Sequence, residues 1–349
     1  MKKFLIKFFK IVFLFWVLSI ILTVCIYSFF KKDLYADYEL SEVLSKKKVY
    51  ENYPQKINTV FVGSSLTYRQ IIPHVFDSIT NNTSFNLGFE GLFPYRSYDM
   101  LTEVLKTKKS EEIQNIFIEL GPPDLIADNY RNNPYIYSIN FKKYSAAIET
   151  STNENLSASA RLSIFRYWNL CLLYKYSGFS LSKYIDALMF NNTNTTQTNY
   201  KYDSLIASTK GFIDLNTQEV QLNNGKLDKI RKNFIKHGNA IDSAIIKKYS
   251  AAYKFYAPDR FTNFVIAYAK NLRKQGKNVC FIIPPRKLLF TKYSLYEKDI
   301  LAKEGFKIYN LSDPKLYPQF YTYDLSYNKT HLNYNGAVLY TTVLANQIK

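Results

Sequence analysis

Two short stretches at opposite ends of the chain hold the residues best suited to do chemistry. Gly63-Ser64-Ser65 follows the strand-like run Asn58-Thr59-Val60-Phe61-Val62 and precedes a segment that can be helical. Asn328-Lys329-Thr330-His331-Leu332-Asn333 stands just ahead of a C-terminal helical pattern. A serine presented on a strand-to-helix turn becomes a nucleophile when an imidazole takes its proton and a third group orients that imidazole. Ser65 and His331 are the candidate pair. Glycine and serine also close strands and cap helices without any catalytic role, so the two motifs acquire meaning only if the fold unites them.

The elements that must position them alternate in type. Apolar runs at Val60 to Gly63, Ser84 to Leu87, Asn115 to Leu120, Asn278 to Ile283 and Phe306 to Leu311 read as five strands. Helical spacing is expected over Arg69 to Ile79, Tyr95 to Lys106, Asp259 to Gln275, Tyr293 to Lys303 and Asn335 to Ile348. Short strands alternating with helices imply an α/β fold with a parallel, doubly wound sheet. Ligands bind such sheets at the carboxyl ends of the strands. Ser65, Gly88, Gly121, Arg286 and His331 each follow one of the five strands, so all are expected on one rim.

The rhythm is lost in residues 125–258. Ser157 to Ser177 reads as an aromatic-rich helix, and Asn191 to Asn199 as a polar, low-complexity loop. An insertion after the third strand emerges at the ligand-binding rim, where it either caps the site or decorates the periphery.

The N-terminus bears on location. Ile11 to Phe30 is an uncharged, mostly apolar run of 20 residues, long enough to cross a hydrocarbon core. Lys2, Lys3, Lys7 and Lys10 precede it, whereas Lys31, Lys32 and Asp33 follow, which favours a cytoplasmic N-terminus and an extracytoplasmic remainder, periplasmic or on the cell surface. A cleaved signal peptide is the alternative, although the run is long for one and lacks a clear cleavage site. The expected organisation is a cytoplasmic tip and transmembrane anchor over 1–32, a lysine-rich stalk over 33–56, and one α/β domain over 57–349 with its insertion at 125–258.

Composition narrows the alternatives. The chain has 349 residues, 47% hydrophobic, which can bury one substantial core. Its net charge of +18 is dispersed, without an arginine-rich block, so nucleic acid is not an expected partner. His74, His237 and His331 show no metal-ligand spacing, and the three cysteines form no cluster. Neither a phosphate-binding glycine loop nor a dinucleotide fingerprint follows the first strand. No metal or cofactor is expected.

Taken in order, the blocks resemble the SGNH or GDSL hydrolase superfamily, in the style of membrane-anchored envelope proteins related to alginate O-acetylation proteins and the D-alanine-transfer protein of Gram-positive cell walls. The resemblance covers residues 57–124 and 259–349. Gly63-Ser64-Ser65 matches the first block and Asn86-Leu87-Gly88-Phe89-Glu90-Gly91 the second. Asn328 to Gly336 matches the last block, which normally reads Asp-x-x-His-Leu-Asn-x-x-Gly. The resemblance implies a flavodoxin-like three-layer fold, Ser65 as nucleophile, His331 as base, and backbone amides of Ser65 and Gly88 as oxyanion hole.

Two departures stand out. The third block, normally Gly-x-Asn-Asp, reads Gly121-Pro122-Pro123-Asp124, which removes an amide donor, and Pro123 has no N–H to replace it. Asn328 stands where an aspartate is usual, so Asn328 orients His331, or Asp324 does so from four residues earlier, or neither residue does. Arg69 and Arg286 are candidate cations for an anionic substrate. The implied activity is a serine esterase or O-acyltransferase working on acyl groups, chiefly acetyl, of a cell-envelope or exported polysaccharide. Its expected partners are the lipid bilayer, that acylated glycan and a membrane-bound acyltransferase. A degenerate glycan-binding or assembly scaffold of the same fold is the alternative.

Overall fold

The computed structural model describes residues 2–29, 41–89, 94–123, 139–176, 200–217, 225–237, 249, 257–285 and 291–349. Five strands, β1 (Thr59–Val62), β2 (Ser84–Asn86), β3 (Asn115–Glu119), β4 (Asn278–Ile283) and β5 (Lys307–Asn310), form one sheet in the order β2-β1-β3-β4-β5. Every pairing is parallel. The strands are short apolar runs because both sheet faces are covered, which leaves few positions for alternating polar residues.

Side-chain alternation divides the core. Val60, Val62, Ile116, Ile118, Val279, Phe281 and Ile283 face one side, and Phe61, Phe117, Cys280, Ile282 and Tyr309 the other. On the second side the Phe61 and Phe117 rings stack at 5.1 Å, and Phe76 meets Phe61 edge-on at 4.9 Å. The chain leaves β1 toward β2 on one flank and returns to β3 on the other. Their carboxyl ends therefore bound the crevice where such sheets receive ligands.

α1 (Lys2–Phe29) is long and apolar enough to cross a membrane, and its large side chains from Phe4 to Val24 are exposed. It begins well before Ile11 because the flanking lysines are good helix formers.

The expected stalk is corrected from Ser41 onward, where α2 (Ser41–Glu51) packs against the domain. Ser45, Lys46, Val49 and Tyr50 make a buried face, and Tyr50 meets Phe85 of β2 edge-on at 5.7 Å. Within the run expected as a lysine-rich stalk, Lys46 is wholly buried: its ammonium donates to Asn86 O and Gly88 O and lies 3.8 Å over the Tyr68 ring.

The helix expected over Arg69 to Ile79 is two helices, α3 (Ser65–Gln70) and α4 (Pro73–Thr80). Pro73 restricts Ile72 to extended backbone, φ −99° and ψ 106°, so α3 stops and α4 starts with proline in its first turn. α5 (Pro94–Leu105) leads to β3.

Between β3 and β4 lie α6 (Phe141–Thr150), α7 (Ala158–Tyr176), α8 (Tyr200–Ser208) and α9 (Lys226–His237). One arm covers the free edge of β2, where Asn86 N–H donates to Lys210 O at 2.8 Å. The Lys210–Asp77 ion pair, 2.6 Å and nearly buried, pins that arm. The polar loop at Asn191 to Asn199 lies outside the described residues. α10 (Arg260–Lys274), α11 (Thr291–Lys303) and α12 (Tyr334–Ile348) complete the layers.

Candidate active site

The first turn is built by a buried acid that sequence reading passed over. Glu119 ends β3, is 4% exposed, and accepts from Ser64 N at 2.9 Å, Thr67 Oγ1 at 2.7 Å and Thr67 N at 3.3 Å through Oε2. Its Oε1 accepts from Ser64 Oγ at 2.7 Å. The carboxylate thus ties the end of β3 to the turn after β1 and spends its lone pairs on α3's first-turn donors. Ser64 Oγ also caps α3, accepting from Leu66 N at 3.2 Å. A Cβ on Gly63 would sit 2.5 Å from Glu119 Oε2 and 2.6 Å from Glu119 Cβ, so only glycine admits the carboxylate. The signal was a lone acid closing the apolar run Ile116-Phe117-Ile118.

Ser65 is the first residue of α3 and half-buried. Its N–H, one of the amides a helix start leaves unpaired, has no hydrogen-bond partner among the described residues.

The second motif is folded by its own side chains. Asn328 Oδ1 accepts from Thr330 N and His331 N, both at 2.8 Å. His331 O accepts from Tyr327 N at 2.9 Å, and Ser326 bridges Leu332. Asn333 caps α12 by accepting from Gly336 N at 2.9 Å and donates from Nδ2 to Asp324 O at 2.6 Å. A Cβ at Gly336 would overlap Leu325 O and lie 3.0 Å from Leu332 Cβ, which explains the glycine there.

These two constructions bring the ends of the chain together. His331 Nε2 is 3.0 Å from Ser65 Oγ, and His331 Nδ1 is 3.3 Å from Asn328 Oδ1. The two backbone amides fix the Asn328 oxygen, rather than its NH2, toward the ring. Nδ1 therefore carries the hydrogen, and Nε2 offers its lone pair to the Ser65 hydroxyl. That is the tautomer a base needs. Asp324 does fold back near this loop, but through its carbonyl; its carboxylate has no hydrogen-bond partner among the described residues.

Three expectations fare differently. Gly88 N–H donates to Asn86 Oδ1 at 2.9 Å, so it is not a free oxyanion donor as expected; Asn86 closes a local turn two residues ahead of it. Asn86 Nδ2 in turn donates to Thr67 O and Ile71 O at 2.9 and 2.8 Å, holding the end of α3. Arg69 is 1% exposed, donates to Ile213 O at 2.8 Å and lies 4.2 Å over the Tyr68 ring, so it braces the insertion rather than meeting a substrate. Its long stem fills apolar space where a cation for an anionic substrate was expected. Arg286 and Asp124 lie outside the described residues. Pro123, within them, supplies no N–H.

The insertion reaches the site through α9. Arg231 donates to Ser326 O and, at 3.0 Å, to Tyr327 O, and Phe234 packs on Tyr323 at 5.3 Å. Beneath the site, burial pushes the Tyr340 phenol far above its ordinary range, and the charge of Glu119 adds to the effect.

No protein-family model matches the chain, and no curated protein is significantly similar to it. Fold and site define it as an α/β protein with a five-stranded parallel sheet and an N-terminal apolar helix. At its switch point it carries a serine, a histidine and an asparagine in hydrogen-bonding sequence.

Proposed function

We propose that the protein is a membrane-anchored, extracytoplasmic serine esterase or O-acyltransferase of SGNH type, acting on small acyl esters of an envelope glycan. The observation that carries this reading is the Ser65–His331–Asn328 chain of contacts at the carboxyl ends of β1 and β3. The strand order, the insertion after β3 and the block order support the family, and the +18 charge suits an anionic envelope.

In this mechanism His331 Nε2 takes the Ser65 proton as Oγ attacks the ester carbonyl. Charge developing on the carbonyl oxygen is met by the Ser65 N–H at the start of α3. Collapse of the tetrahedral intermediate breaks the ester C–O bond, and His331 returns its proton to the departing alcohol. Water or a sugar hydroxyl, deprotonated by His331, then attacks the acyl-Ser65 carbonyl; the acyl C–Oγ bond breaks and His331 returns the proton to Ser65 Oγ. Hydrolysis and transfer differ only in that acceptor.

A scaffold that binds glycan without turnover has its own support: Gly88 N–H is engaged, Pro123 lacks one, and Asn328 carries no charge to offset an imidazolium. Acetyl release from an acetylated glycan by the full chain, Ser65→Ala and His331→Ala separates the two. The esterase reading expects both variants to lose activity by about 10³ or more. Equal activity in all three sinks it.

A further inference from the structure

His331 is held by both of its backbone groups. Its N–H donates to Asn328 Oδ1 at 2.8 Å, and its carbonyl accepts from Tyr327 N at 2.9 Å and Asn328 N at 3.3 Å. A trans peptide points its C=O away from its N–H, so the two peptides that grip His331 O present the carbonyls of Ser326 and Tyr327 on their far side. Arg231 Nη1 donates to both of those carbonyls, at 3.0 Å in the case of Tyr327 O. One guanidinium nitrogen thus closes the back of the two peptide units whose fronts fix His331.

A charged donor on a peptide carbonyl makes a stronger hydrogen bond than a neutral one and polarises the N–H at the other end of the same unit. The shared nitrogen also holds the two carbonyls side by side. That sets the course of the chain into Asn328, whose side chain faces His331 Nδ1.

α9 presents Arg231 to the loop and its lysines to water. Arg231 is half-buried, its guanidinium lies 5.8 Å over the Tyr327 ring and 6.0 Å over that of Phe234, and Phe234, one turn on, seats the helix on Tyr323. Lys229, Lys232 and Lys236 are exposed, and Lys232 pairs with Asp228 on the same helix. The two Arg231 bonds span 95 and 96 residues of sequence, so a side chain of the insertion holds a loop of the C-terminal block.

We infer that Arg231 is a positioning residue for His331: α9 sets the imidazole through the Ser326 and Tyr327 peptides, and the insertion thereby completes the site instead of decorating its periphery. This rests on the reading of Ser65 and His331 as nucleophile and base. Because Arg231 acts on the base and not on the substrate, its removal is felt in kcat and not in KM.

Hydrolysis of a chromogenic acetate ester by the full chain in detergent micelles is followed in the parent, Arg231→Met, Arg231→Lys and His331→Ala, with a thermal melt of each. Methionine keeps an apolar stem without donors, and lysine keeps a charge of shorter reach without the planar fork. Arg231→Met is expected to lower kcat by about tenfold or more at parental KM, since a small misplacement of a reacting group costs that much, and Arg231→Lys to fall between it and the parent. Parental kcat in Arg231→Met overturns the inference whatever its melting temperature, a lowered one showing a tether for stability alone. A raised KM with kcat unchanged overturns it as well, because the guanidinium then meets the substrate. Should Arg231→Met not fold, Arg231→Lys decides by the same outcomes. These failures leave the esterase reading standing as long as the parent is active and His331→Ala is not; an inactive parent, or a His331→Ala protein as fast as the parent, overturns both.

Discussion

Replacing Asn328 by aspartate is the sharpest perturbation of the site, because it changes one charge and almost no volume. The side-chain oxygen is 3.3 Å from His331 Nδ1, which puts a new carboxylate about 4 Å from the centre of an imidazolium. At that separation a charge pair is worth about 4 kcal/mol at an effective dielectric constant of about 20, and about 1 kcal/mol in bulk water. Both side chains are half-buried, so about 1.5–3 kcal/mol is expected, a rate gain of roughly ten- to a hundredfold. The carboxylate still accepts the Thr330 and His331 amides, so the loop is preserved. The pH profile supplies a second reading. The new charge favours the protonated ring, so the acid limb, where the base is lost, moves to higher pH. Hydrolysis of a chromogenic acetate ester is compared on the alkaline plateau. An unchanged rate and an unmoved limb would refute the claim that residue 328 addresses His331 during turnover.

Other consequences are equally concrete. Glu119→Gln keeps the shape but removes the charge that accepts four donors, and is expected to cost about 1.5–3 kcal/mol in a thermal melt and to slow esterase turnover together. A variant with parental stability and activity would show that the carboxylate does not hold the turn. Gly336→Ala drives a methyl group into Leu325 and Leu332 of the histidine loop, so Ser65 should react at least tenfold more slowly while α1 still anchors the chain; parental reactivity would contradict the packing. Burial, with Lys143 adding, lowers the Lys175 amine from 10.5 to about 8. Between those values the unfolded chain binds the extra proton, so this group's contribution to stability rises with pH. The melting temperature of the parent should therefore gain on Lys175→Met from about pH 8 toward 10.5, and a constant difference would refute the assignment.

Much of this framework was legible in the sequence because parallel strands buried on both sides announce themselves as apolar runs. β4 and its flanking helices are found within a residue or two of their expected limits, and Asp259 caps α10 through Thr262 N as its position suggests. Ser65, Asn328 and His331 were visible as residue types, but only the fold puts Nε2 within 3.0 Å of Oγ. What escaped were polar residues doing structural work inside the core. Lys46 sits in a lysine run whose buried face shows only once β2 lies beneath it, and Arg69 reads as a candidate substrate cation until Ile213 O arrives from the insertion. Gly88 was assigned by position in a block, whereas its amide is decided by the Asn86 side chain two residues away. Long-range partners of this kind leave no local periodicity to read.

The central claim is that His331 activates Ser65. The most direct measurement is the rate at which a serine-reactive phosphonate labels the full chain, read by intact mass and peptide mapping in the parent and in His331→Ala. One adduct on Ser65, formed at least a hundredfold more slowly without the imidazole, is the predicted result. No adduct at Ser65, or the same rate in both proteins, would contradict it.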